Sequence, residues 1–409
     1  MMYKTIIVCG VFICSVYSSY SQAFPFPQNK QYPYGYISKA ITPAYIQKNY
    51  EYWKQHAVYM CNTQEARIMK FPNDNQTTVS EGIAYGMLIT AYMGDKQLFD
   101  NLLNYYSART NCRGMMNWIY KDCETGDNKK NGATDADIDI AFALLVAAKQ
   151  WPQDTRYKQK ASMVIDSLQK YCFVVCNGEI VQKPGDDFGG CYCTNPSYYS
   201  PGYYKIFGLF KKQEGNLNAY SFWEKAYFDV YSTLLKNAHP ITGLVYAWTN
   251  FEGKDPQNCY YEVTGSGTYN SYQYDACRTP WRITMDYVWF GNEQARDYLQ
   301  RISRFVQAPI YAQYDSKGTI WYGAGGIQNI VDSYWTNGLR RINPDYADWG
   351  HRHAIAFVGS FALASMATSQ SNVDICMNEL STLQALRYYE SSLGLLYSLL
   401  ASGNFWNPL

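Results

Sequence analysis

Three carboxylates stand where helices are expected to begin, each beside glycine or aromatic residues. They are the side chains of this chain best suited to acid–base work. Glu81 lies in VSEGIAYGM (79–87). Ser80 reads as the N-cap and Glu81 as the first helical residue, where a glutamate also complements the helix dipole. Gly82 and Gly86 are poor helix formers on one face of that helix, which makes sense where something must approach it closely. A helix start lowers the pKa of Glu81, so a proton-donating role needs burial or a neighbouring carboxylate to raise it.

The second carboxylate sits in ATDADIDIA (133–141). Alternating aspartates suggest a calcium loop, but the turn position that needs glycine holds Ile140 and the twelfth position holds Val146, so calcium is rejected. As a helix start, Thr134 caps, Asp135 and Asp139 share a face, and Ile138, Ala141, Leu144 and Leu145 turn to the core. A surface position for all three aspartates is the alternative. The third carboxylate is Asp275 in YQYDACRTPWR (272–282). It reads as a cap whose carboxylate Arg278, one turn on, can hold; a plain cap with such an ion pair is the bland reading.

Other chemistries lack their residues. There is no P-loop and no GxSxG elbow, and His56, His239, His351 and His353 are too scattered for HExxH. His351 and His353 open an apolar helix, and metal ligation there is set aside. Cys191 and Cys193 have no second Cys or His pair at finger spacing, which argues against zinc. No cofactor and no metal are expected. Two carboxylates on an aromatic groove are the minimum apparatus of a glycosidase, one protonating the leaving oxygen and the other activating water.

Those carboxylates need a scaffold. Apolar spacing at the helical period marks helices over 44–60, 81–93, 96–109, 135–151, 156–171, 198–211, 219–237, 276–290, 293–307, 353–367 and 384–401. Strand-like alternation is confined to loops such as 241–248 and 318–322. About a dozen helices without a linker pack as a solenoid, a toroid of helical hairpins or a bundle, and the lack of a short repeat argues against the solenoid. The long loops 110–134, 178–198 and 240–275 hold most of the Gly, Trp and Tyr, and loops that long are usually functional.

Composition agrees. The 409 residues include 41 Tyr, 18 Phe and 11 Trp, an excess that suits a groove stacking on sugars or a Tyr-biased proteome. Residues 1–22 read as a signal peptide, with Lys4 as its positive end and an apolar run after it. Its removal takes the formal charge from +1 to 0, so nucleic acid and anionic membranes are not expected partners. Of 12 cysteines, Cys9 and Cys14 leave with the signal and ten remain, favouring disulfides in a secreted chain. Cys112 with Cys123 and Cys172 with Cys176 are plausible local pairs. Residues 23–409 are expected to form one catalytic domain, with 23–40 as an extended arm. Asn75 heads the only N-glycosylation sequon, because Pro196 disqualifies Asn195.

The stretch from Ala133 to Trp151 resembles the signature of glycoside hydrolase family 8 along its length, and the resemblance extends from about residue 40 to the C-terminal RYYESSLGLLYSLLASGNF (387–405). It implies an all-α fold, an (α/α)6 toroid of six inner and six outer helices. It also implies inverting hydrolysis of a β-1,4-linked polysaccharide. By resemblance Glu81 is the general acid, Asp275 the base with Arg278 as its partner, and Asp135 the carboxylate that binds the sugar at the cleavage point. Trp118 in MMNWIY (115–120) and Tyr198 in NPSYYSPGYY (195–204) look like subsite residues. Arg278, Phe188 and Tyr274 complete the substrate-binding set. Where the family usually has Trp after Gly-Asp-x, this chain has Phe188, a smaller platform without an indole donor. Asp275 at a helix start argues against the chitosanase group, and ATDAD resembles the endoglucanase side. A secreted, monomeric endo-β-1,4-glucanase is expected, with xylanase or lichenase as the alternative. An idle carbohydrate-binding protein would not need the whole acid–base set.

Overall fold

The computed structural model describes residues 22–125, 131–256, 259, 269–342 and 350–409; the expected signal segment up to residue 21, with Cys9 and Cys14, lies outside the described residues. Among the described residues, twelve α-helices alternate between two shells. The inner shell holds α2 (Ser80–Met93), α4 (Thr134–Gln150), α6 (Pro201–Gln213), α8 (Thr279–Phe290), α10 (Ile355–Ala364) and α12 (Tyr388–Ala401). The outer shell holds α1 (Pro43–Ala57), α3 (Lys96–Ser107), α5 (Thr155–Tyr171), α7 (Leu217–Asn237), α9 (Glu293–Gln307) and α11 (Gln370–Thr382).

Sequence explains the division. Every residue of α10 is buried, as is every residue of α4 from Thr134 to Ala147, because a helix apolar on all sides must be covered on all sides. Helix α1 buries only the stripe Ile46, Tyr50, Trp53 and Ala57, as an outer helix should. The inner ring closes between α4 and α6 by ring stacking of Phe142 on Tyr203, centroids 3.9 Å apart. Helix α11 lies outside the helices expected from sequence, although its buried set, Val373, Cys376, Met377 and Leu380, keeps the helical spacing of an outer helix. Loop 241–248 contains no strand.

The N-terminal segment decides which end of the toroid is open. Residues 22–42 form no regular element, yet their amides are spent on the C-terminal ends of the inner shell. Ala23 N donates to Gln150 O at 2.9 Å, Tyr36 N to Met366 O at 3.0 Å and Ser38 N to Ala401 O at 2.7 Å. Phe24 stacks on Trp406 at 4.5 Å. The last carbonyls of a helix have no partner within it, and this strap supplies one for several. The N-termini of the inner helices therefore converge on the opposite end, where the three carboxylates lie.

The disulfides are Cys61–Cys123, Cys176–Cys191 and Cys193–Cys259. Neither local pair forms. Cys172 closes α5 and is a buried free thiol, whereas Cys176 ends the strand Phe173–Cys176 that follows and pairs with Cys191; Cys112 is an exposed free thiol. Among the described residues no helix is long and apolar enough to cross a membrane.

Candidate active site

A cleft of about 400 Å³ opens at the N-terminal end of the inner shell, lined by Glu81, Asp135 and Asp275 with Lys70, Trp118, Phe188, Tyr198, Trp248 and Tyr388. Backbone pairing puts Glu81 there. Strand β1 (Thr77–Val79) leads directly into α2 and pairs antiparallel with β2 (Ile119–Lys121), and Ser80 N donates to Trp118 O at 2.9 Å. Val79, not Ser80, occupies the cap position. Trp118 N in turn donates to Asn131 O at 2.9 Å, and Gly132 N to Asp186 Oδ1 at 2.8 Å. One continuous set of bonds thus ties Glu81, Trp118, the start of α4 and the loop carrying Phe188. Gly86 has a different cause from the one expected: a Cβ there would lie 3.2 Å from Ile68 and 3.0 Å from Leu102, so it admits core packing, whereas a Cβ on Gly82 would make ordinary contacts, with Ile68 at 3.4 Å and Tyr388 at 3.6 Å.

Arg278 is not the partner of Asp275. It lies beneath the cleft, where its Nη1 donates to Glu81 Oε2 at 2.8 Å, to Asp135 Oδ2 at 2.6 Å and to Tyr85 OH at 3.2 Å. Its Nη2 donates to Ser197 Oγ at 3.2 Å. Asp275 precedes α8 without capping it. Its Oδ2 accepts from Trp248 Nε1 at 3.2 Å and from Gln273 Nε2 at 3.0 Å. The two neutral donors fix the carboxylate, and among the described residues Oδ1 has no hydrogen-bond partner.

The three aspartates of α4 are all buried, so the surface reading falls, as does Thr134 as a cap, since Ala133 holds that position. Asp139 pairs with Arg282 at 2.7 Å. Asp137 accepts from Tyr106 OH at 2.9 Å, and burial raises its pKa well above the ordinary range. Tyr274 is turned away from the catalytic cleft into a neighbouring one, its hydroxyl donating to Asp332 Oδ2 at 3.0 Å. His353 is held by Ile330 O at 2.6 Å and Glu379 at 3.0 Å, a structural role for half of the His351–His353 pair.

Electrostatics separates Glu81 from an ordinary carboxylate. Its pKa is pushed up to about 7, mainly by burial. Arg278 and the Tyr388 hydroxyl, which donates to Oε1 at 2.9 Å, oppose the shift; the nearby charges of Asp135 and Asp275 reinforce it. Burial and neighbouring carboxylates thus overcome the helix start. The result is a carboxyl that holds its proton near neutrality, as a general acid must.

Sequence reasoning missed Tyr388, Trp248 and Lys70. Tyr388 carried a weak signal, a tyrosine pair ahead of an apolar helix. Trp248 lies in a loop marked as aromatic, but no acidic neighbour in sequence singled it out.

The family model for glycosyl hydrolases family 8 matches residues 24–324. The chain belongs to this family. It is a glycoside hydrolase. Endoglucanase A of Acetivibrio thermocellus is 30% identical over 98% of this family 8 chain and 79% of its own length. Endoglucanase 2 of Ruminiclostridium josui is 30% identical over 99% and 83%. A β-1,3-1,4-glucanase from Paenibacillus sp. X4 shares the fold with a TM-score of 0.79, at 24% identity over 95% of this chain and 100% of that one. Rex8A of Paenibacillus barcinonensis, solved with xylose, gives 0.70 at 19% identity over 91% and 98%. The fold is the (α/α)6 toroid.

Proposed function

We propose that this family 8 enzyme is a secreted, endo-acting β-1,4-glucanase that works as a monomer with inversion. Glu81 is the general acid, Asp275 the general base and Asp135 the carboxylate that holds the sugar at the cleavage point. The observation that carries the reading is one aromatic cleft containing a carboxyl that keeps its proton near neutrality and a second carboxylate with a free oxygen. The Glu81 carboxyl donates its proton to the glycosidic oxygen as the bond breaks. Asp275 Oδ1 takes a proton from the water that attacks the anomeric carbon from the other face. An inverting pair leaves room for that water, with carboxyls roughly 6.5–9.5 Å apart. Arg278 keeps Asp135 and Glu81 from repelling one another, and Trp118, Phe188 and Tyr198 stack on or bond to the rings. Three disulfides suit an oxidising, extracellular compartment, and Asn75 is exposed, so a glycan there has room.

The 30% identity to named endoglucanases supports glucan over xylan. Glucan adds a hydroxymethyl group to each ring, and a site built to bond that hydroxyl loses an interaction on xylan that leaves a polar group unpaired. The expected result is that soluble β-glucan and carboxymethyl-cellulose are cut much faster than xylan or chitosan when reducing-sugar release is measured in parallel. Highest catalytic efficiency on xylan would overturn the glucan assignment and leave the carboxylate roles standing.

A further inference from the structure

A second cleft of about 390 Å³ adjoins the catalytic one, and the two share Lys70 and Tyr388 as lining residues. Their order along the substrate follows from the acid. Asp135 and Asp275, which serve the ring under attack, line only the first cleft, while Tyr388 both holds Glu81 and forms the boundary. The ring that departs with the protonated oxygen therefore passes Tyr388 into the second cleft.

The charges of that second cleft are unevenly satisfied. Asp74 accepts from Gln76 N at 3.2 Å and Thr77 N at 3.0 Å. Glu390 is paired with Arg352 at 3.1 Å. Asp332, behind Tyr274, accepts from Gly350 N at 2.7 Å, Arg352 N at 3.2 Å and Tyr274 OH at 3.0 Å. Every carboxylate is taken, and so is Arg352. The side chains of Lys70 and Arg387 line the same space without a hydrogen bond or close ion pair among the described residues, Lys70 half-buried and Arg387 exposed; Asp74 and Glu390 feel their charges but are held by other donors.

We infer that Lys70 and Arg387 read negative charge on the departing half of the substrate, so that the enzyme favours β-linked polysaccharide bearing carboxylate groups on its sugars. The inference rests on the polysaccharide-cleaving assignment of the first cleft and adds a substrate class to it. The two cations share the cleft with the rings of Phe71, Tyr274, Tyr388 and Tyr389, so a sugar that stacks there brings its substituents beside them.

The test compares wild type, Arg387→Gln and Lys70→Gln on two matched pairs, carboxymethyl- against hydroxyethyl-cellulose and glucuronoxylan against neutral arabinoxylan. The quantity read is the ratio of charged to neutral polymer, measured as kcat/KM and as retardation in native gels containing each polymer. Each variant should lower that ratio about 1.5- to 5-fold, the range typical of exposed ion pairs. The wild-type ratio should also fall when salt is raised from about 0.01 M to 0.15 M, which shortens the screening length from roughly 30 to 8 Å. A ratio unchanged in both variants, or insensitive to salt, overturns the inference. Failure of the glucanase assignment looks different: the xylan pair is cut and the cellulose pair is not, while the ratio still reports on the two cations.

Discussion

Glu81→Gln is expected to fold, to bind polysaccharide and to turn it over about 10²–10⁴-fold more slowly or worse, the usual cost of losing a positioned proton donor. The amide has the same shape and can still meet Arg278 and Tyr388, so binding should change little while kcat collapses. The proton also sets the pH profile. An acid must be protonated to act, so wild-type kcat/KM should fall as pH rises through about 7, where Glu81 loses its proton. The Tyr388 hydroxyl bond favours the charged form, so Tyr388→Phe should move that limb to higher pH. Titrated initial rates and isothermal binding with an oligosaccharide check both statements. Near-normal turnover by Glu81→Gln on a natural polysaccharide would remove it from the acid role.

Asp275→Asn is the second large effect, again about 10²–10⁴-fold in kcat. The asparagine can keep the bond from Trp248 Nε1, so the cleft retains its form and the loss falls on the activation of water. Thermal unfolding should be close to wild type, which separates a missing base from a damaged fold. Full activity in a folded Asp275→Asn protein would mean that another group prepares the water.

The helices apolar on all sides were legible because periodicity and burial agree in them. Helices α4 and α10 are the clearest, since so little of either could face water. Helix α11 carries a narrower signal, a single stripe of Val373, Cys376, Met377 and Leu380 at helical spacing among polar residues, which is easily passed over beside them. The site was legible as residue types and illegible as pairings. Asp275 and Arg278 are one turn apart in sequence, which invites a local ion pair. The guanidinium is instead claimed by Glu81 and Asp135, 197 and 143 residues away in the chain, and two carboxylates brought together by inner helices outcompete one neighbour. The same holds for the cysteines: Cys61 and Cys123 are separated by 62 residues, and no spacing rule links them. Tyr388 reaches Glu81 from the last helix because the ring closes, and closure is a property of the fold alone.

Glu81 and Asp275 are proposed to act on opposite faces of one sugar through an intervening water. Proton NMR of the first product released from a β-1,4-glucan oligosaccharide tests it most directly, read before the sugar mutarotates. The α-anomer should appear first and the β-anomer grow in only as it equilibrates. A β-anomer as the first product would mean a covalent intermediate and a retaining enzyme, and would contradict the role given to Asp275.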